Sequence, residues 1–109
     1  MAWDTKRNIT AENYLREGFD GIMVDLREKT AFSFGTIDNA VSIPLNDIKK
    51  LYDLPKNQKI CVFCQSGEMS QEIAELLLDA EYDAYHLVGG YRAYIKQSLK
   101  LKESNNGNA

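Results

Sequence analysis

Cysteine and histidine are scarce in this 109-residue sequence, with two of the first and one of the second. Two cysteines do not make a disulfide scaffold. With one histidine they could complete a zinc site only through carboxylates, whose placement suggests none, so no metal site is expected. A reducing, cytoplasmic compartment is the default for such a chain. Basic charge is not in excess either: 13 Lys and Arg stand against 16 Asp and Glu, a net charge of −3. Nucleic acids and anionic membranes both call for a basic surface, so neither partner is expected. No apolar run approaches the ~20 residues of a membrane span. The opening stretch, Met1 to Asn8, has no apolar signal core, so secretion is not indicated.

What is present suits one soluble globular domain, with 44% apolar and 27% charged residues. A chain of this size buries roughly 60–70% of its unfolded surface, enough for one core. We assign residues 1–101 to that domain. The segment 102–109 has no residue large and apolar enough to anchor it and is expected to be a disordered tail. Thr10 reads as the N-cap of a helix through Tyr14 and Leu15, stopped by Gly18. Short apolar runs at Ile22–Val24, Ala40–Ile43, Lys59–Phe63 and Asp83–Leu87 read as strands. A short helix fits Asn46–Leu51. Ser66 reads as the cap of a helix from Gly67 to about Ala80, with Met69, Ile73, Leu76, Leu77 and Ala80 on its core face. Gly89-Gly90 breaks the last strand before a helix from Tyr91 to about Leu99. Apolar strands alternating with helices predict an α/β fold with a parallel sheet covered on both faces. Sites in such sheets lie at the carboxyl ends of the strands, which selects Asp25, Cys64 and Gly89-Gly90.

The segment Phe63-Cys64-Gln65-Ser66-Gly67-Glu68-Met69-Ser70 carries the chemistry. A cysteine stands where a central strand ends, and a tight turn then opens a helix. The first turn of a helix has unpaired N–H donors and the positive end of the dipole, both of which stabilise an anion. A free cysteine titrates near pH 8.5, and a dipole contribution of about 1 kcal/mol moves it by less than one unit. Several N–H contacts are needed to do more, and Glu68 opposes them. A modestly activated thiol at Cys64 is the expectation. Cys61 forms a C-x-x-C spacing with Cys64. If residues 61–64 are extended, however, their Cα atoms lie about 10 Å apart, too far for a disulfide. Cys61 therefore reads as a small buried apolar residue.

Cys64-Gln65-Ser66-Gly67-Glu68-Met69-Ser70 resembles the active-site loop of rhodanese domains, C-x-x-G-x-[RST]. The flanks agree: Val24-Asp25-Leu26-Arg27-Glu28 resembles the family's D-V-R-E strand end. Phe34 to Pro44 resembles F-x-x-G-H-I-x-G-A-x-N-I-P, and Leu87 to Tyr94 resembles L-x-G-G-x-x-A-W. Gly-Gly-Tyr together with Cys64-Gln65 is also similar to rhodanese domains fused to coenzyme A-disulfide reductases. The resemblance implies a three-layer α/β/α domain with a five-stranded parallel sheet. It also implies a sulfurtransferase in which Cys64 takes sulfane sulfur as a persulfide, held by the loop amides of Gln65, Ser66, Gly67, Glu68 and Met69. No cofactor is implied. The implied partners are a small-molecule or protein persulfide donor and a thiol acceptor.

This sequence departs from the family pattern at Met69, where many members have arginine, and at acidic Glu68. Arg27 and Arg92 are then the candidate cationic neighbours, and thiosulfate is not expected to be the preferred donor. Thr36 and Asn39 replace the family's His and Gly as structural substitutions. Asp25 and Arg27 are expected to pair beside the site rather than react, and Gly89 and Gly90 to form the turn near Cys64. His86 is expected to be a satisfied sheet histidine. Two rival functions differ in kind. A binding module would dock on a partner without needing the thiol. A phosphatase of related fold would need C-x5-R, and that position is Ser70.

Overall fold

A computed structural model describes residues 2–107, with side chains as far as Glu103. Five parallel strands form one sheet in the order β1-β5-β4-β2-β3. They are β1 (Asn8–Ile9), β2 (Gly21–Asp25), β3 (Val41–Ser42), β4 (Lys59–Phe63) and β5 (Asp83–Leu87). Four helices follow or join them: α1 (Ala11–Glu17), α2 (Lys29–Phe34), α3 (Glu68–Asp79) and α4 (Gly90–Gly107). Thr5–Arg7 and Leu45–Asp53 are 3₁₀ segments. Among the described residues no helix is long and apolar enough to cross a membrane.

The sheet divides the core in two, because successive side chains of a strand point to opposite faces. On one face Ile60, Val62, Val24 and Ala84 pack against Ile73, Ala74 and Leu77 of α3 and Leu51 of the second 3₁₀ segment. On the other, Cys61, Phe63, Met23 and Leu87 pack beneath Tyr14 of α1 and Tyr91 and Tyr94 of α4. This is the α/β/α layering that the sequence resemblance implied. β4 lies at the centre, flanked by β5 and β2, so its carboxyl end opens where both neighbours also end. Asp25 closes β2 in register with Phe63, and the Leu26 amide donates to the Phe63 carbonyl at 2.9 Å.

Thr10 caps α1 as expected, its hydroxyl accepting from the Asn13 amide at 3.1 Å. Two expectations need correction. Ser66 does not cap α3; Gly67 occupies the cap position in a left-handed conformation, φ 95°, with no side-chain bond. Met69 and Leu76 are not core, being 45% and 50% exposed. The buried row of α3 is Ser70, Ile73, Ala74 and Leu77, whose three- and four-residue spacing follows one face of the helix. α4 runs on through 102–107, into the segment expected to be a tail. Leu99 to Glu103 are good helix formers, and each added residue closes a further hydrogen bond. Residues 108–109 of the expected tail lie outside the described residues. Finally, two-residue β1 and six-residue α2 carry too little periodicity to be seen in the sequence.

Candidate active site

Chain direction reverses after Phe63, and the turn wraps main-chain donors around a sulfur. The Gly67 amide donates to Cys64 Sγ at 3.1 Å. The amides of Ser70 and Met69 and the Ser70 hydroxyl also face the sulfur. Burial alone would push the thiol up. The Ser70 hydroxyl and these three amides outweigh it, so Cys64 ionises below the usual thiol range. Gly67 cannot be replaced freely: its φ is 95°, and a Cβ there would sit 2.7 Å from the Gly89 nitrogen.

The carbonyl side of the same loop is held by α4. The Tyr91 amide donates to the Cys64 carbonyl at 2.9 Å, and the Arg92 amide to the Gln65 carbonyl at 3.1 Å. Both are first-turn amides that have no partner within their own helix. Close approach requires glycine at position 90, where φ is 64° and a Cβ would lie 2.4 Å from the Cys64 oxygen. Two helix starts thus frame one loop: α3 faces the sulfur, and α4 grips the carbonyls behind it.

Asp25 and Arg27 form a buried pair. Arg27 Nη2 lies 2.8 Å from Asp25 Oδ2, and Nε 3.1 Å from Oδ1. The Arg27 amide and the Thr36 hydroxyl also donate to the Asp25 carboxylate, at 2.9 and 2.7 Å. Arg27 reaches on to the Gly35 carbonyl at 2.6 Å and stacks on the Tyr91 ring at 3.9 Å. Its Nη1 approaches Gln65 Oε1 at 3.4 Å. This guanidinium ties β2, the turn after α2, the cysteine loop and α4 together, the pairing role expected of Asp25 and Arg27. Arg92 does not line the cavity at Cys64; it contributes its main-chain amide. Sequence reasoning passed over Tyr91 as a partner of Arg27, Thr36 as a partner of Asp25, and Ser70 as a neighbour of the sulfur. All three lay within motifs that resemble the family's, but a motif does not say which side chains meet.

Cys64 is 9% exposed and opens into a cavity of about 980 Å³. Leu26, Ala31, Pro44, Leu45 and Met69 give the cavity apolar walls, and Gln65, Ser66 and Glu68 of the loop line it too. Its charged lining is Arg27 and Lys29 against Glu28, Asp47, Glu68 and Glu72. Among the described residues no three His, Cys, Asp or Glu side chains gather as a metal site would require. Cys61 is fully buried and free, and burial pushes its thiol far above the usual range.

Residues 5–97 match the family model described as Rhodanese-like domain. A protein named sulfurtransferase from Allochromatium vinosum is 26% identical over 84 residues, covering 75% of this chain and 78% of that one. The adenylyltransferase and sulfurtransferase uba4 of Ogataea parapolymorpha is 32% identical over 78 residues, which are 69% of this chain but 20% of that one. Among solved structures, a rhodanese-related protein from Thermoplasma volcanium superposes with a TM-score of 0.78 at 26% identity, covering 84% of this chain and 92% of that one. The CoADR-RHD protein of Bacillus anthracis shares the fold, with a TM-score of 0.68 at 24% identity over 80% of this chain and 16% of that one. The loop around Cys64, the sheet that presents it and these likenesses agree: the chain belongs to the rhodanese-like domain family.

Proposed function

We propose that this protein is a sulfurtransferase that carries sulfane sulfur as a persulfide on Cys64 and hands it to a thiol acceptor. The Gly67 amide on Cys64 Sγ, backed by the Ser70 hydroxyl and two further amides, is the observation that carries this reading. The Cys64 thiolate attacks the outer sulfur of a donor persulfide. A new sulfur–sulfur bond forms, the donor's own bond breaks, and the donor leaves as a thiolate. In the second half-reaction the acceptor thiolate attacks the outer sulfur of the Cys64 persulfide and regenerates the Cys64 thiolate. Two half-reactions through a covalent intermediate predict ping-pong kinetics. The scheme uses no cofactor and suits a reducing, cytoplasmic setting.

The cavity bears on the donor. Four carboxylates and two cations line it, and Arg27 is already bonded to Asp25 and Gly35. A dianion such as thiosulfate meets net negative charge there, whereas a low-molecular-weight or protein persulfide meets apolar walls and amide donors. The test is a donor panel of thiosulfate, polysulfide, glutathione persulfide and coenzyme A persulfide, scored by intact mass. Persulfides should add one sulfur atom to the wild type and none to Cys64→Ser. A wild-type protein that gains no sulfur from any donor would refute the reading. Met69→Arg should improve thiosulfate use by about tenfold, the scale of one charge-assisted hydrogen bond.

A further inference from the structure

A chain of polar groups runs behind Cys64, from the N-terminal segment to the sulfur. Trp3 Nε1 donates to Asn8 Oδ1 at 2.7 Å. An indole N–H is a donor only, so the Asn8 atom it meets is an acceptor. The same Oδ1 lies 3.1 Å from His86 Nε2. Two acceptors cannot share a hydrogen bond without a proton, so Nε2 carries one. His86 is buried, and burial lowers its pKa, which keeps the ring neutral. In a neutral ring with Nε2 protonated, Nδ1 is bare and accepts. Facing it at 3.1 Å is Ser70 Oγ, a fully buried hydroxyl. That oxygen also lies 3.1 Å from the Gly67 carbonyl and faces the Cys64 sulfur. The hydroxyl has one proton and three claimants.

The geometry points to His86 as a positioning residue. Held as its Nε2–H tautomer by Asn8 and Trp3, it competes for the Ser70 proton and so sets how strongly the Ser70 hydroxyl donates to Cys64. With His86 neutral, Nδ1 competes for the Ser70 proton and weakens the bond that the hydroxyl gives the sulfur. With His86 protonated, Nδ1–H donates to Ser70 Oγ, and the Ser70 proton is free for the thiolate. Ionisation of Cys64 and protonation of His86 therefore favour one another. The elements packed on the ring bring Trp3 edge-on at 5.4 Å, Asn8 from β1, Ser70 from α3 and Val62 from β4. None of these carries a charge. Among the described residues, the titratable group that His86 meets through Ser70 is Cys64.

This inference rests on Cys64 as the reacting group, but its test reads thiolate formation and not sulfur transfer, so either idea can fail alone. His86 is the one histidine of the chain, so its imidazole nitrogen resonances can be assigned directly. Two-bond nitrogen–proton correlations at neutral pH should show the Nε2–H tautomer; an Nδ1–H tautomer overturns the proposal. Iodoacetamide alkylation of Cys64 is then followed against pH in four proteins. Below the thiol's midpoint, Ser70→Ala should slow alkylation about tenfold, and His86→Phe should speed it about threefold. The double variant should match Ser70→Ala alone, because His86 acts only through the hydroxyl. A merely structural histidine would shift both backgrounds equally, or neither, and that result overturns the proposal. If His86→Phe does not fold, Cys64→Ala is compared with the wild type: the His86 midpoint should drop in the variant, and an unchanged midpoint refutes the coupling.

Discussion

Cys61 and Cys64 stand three residues apart along one chain segment, and their surroundings could hardly differ more. Cys61 sits inside β4 between two neighbouring strands, with its side chain among Met23, Phe63 and Leu87. Every main-chain group near it is committed to the sheet, so nothing offsets the cost of charging it, and its thiol is pushed far up. Cys64 is one residue past the strand, where amides no longer have ladder partners and can turn toward a sulfur. The easier ionisation of Cys64 follows from the donors around it, the Ser70 hydroxyl and three amides, not from the thiol itself.

The sharpest break of this contrast is Cys64→Ser, which should lose persulfide formation altogether by intact mass while the fold is kept in circular dichroism. Next comes alkylation of the two thiols in the wild type. Because the Cys64 pKa is lowered, its alkylation rate should rise with pH and level off below the range where a free cysteine does. Cys61 should react only after unfolding in urea, and a ratio under about a hundredfold in native protein would show that the two sites are not so distinct. Gly90→Ala pushes a Cβ into the Cys64 carbonyl at a left-handed position. It should cost about 2 kcal/mol in urea unfolding and slow persulfide formation about tenfold. The smallest effect is expected for Cys61→Ala, about 1 kcal/mol of stability, with sulfur transfer as in the wild type.

The fold was legible where burial imposes a pattern. Lys59–Phe63 and Asp83–Leu87 appear in the structure with the bounds that the apolar runs suggested. The loop was legible because a cysteine followed by a glycine turn and a helix is a local arrangement. Contacts that bring distant segments together left no such trace. Thr36 on Asp25, the Tyr91 ring beneath Arg27, and Asn8 behind His86 join residues 11 to 78 positions apart. Ser66 was misassigned as the cap because its hydroxyl suits that role, while the turn needed the left-handed backbone that Gly67 supplies one residue later.

The grip of α4 on the Cys64 and Gln65 carbonyls has a consequence for the order of assembly. A nascent polypeptide that has emerged only as far as α3 already contains Cys64, but not the amides of Tyr91 and Arg92 that brace its loop. β1 is likewise idle until β5 arrives, since among the described residues it pairs with no other strand. The loop around Cys64 is thus braced only once the segment after β5 has been made, and a chain cut before α4 would expose an ordinary, unprimed thiol.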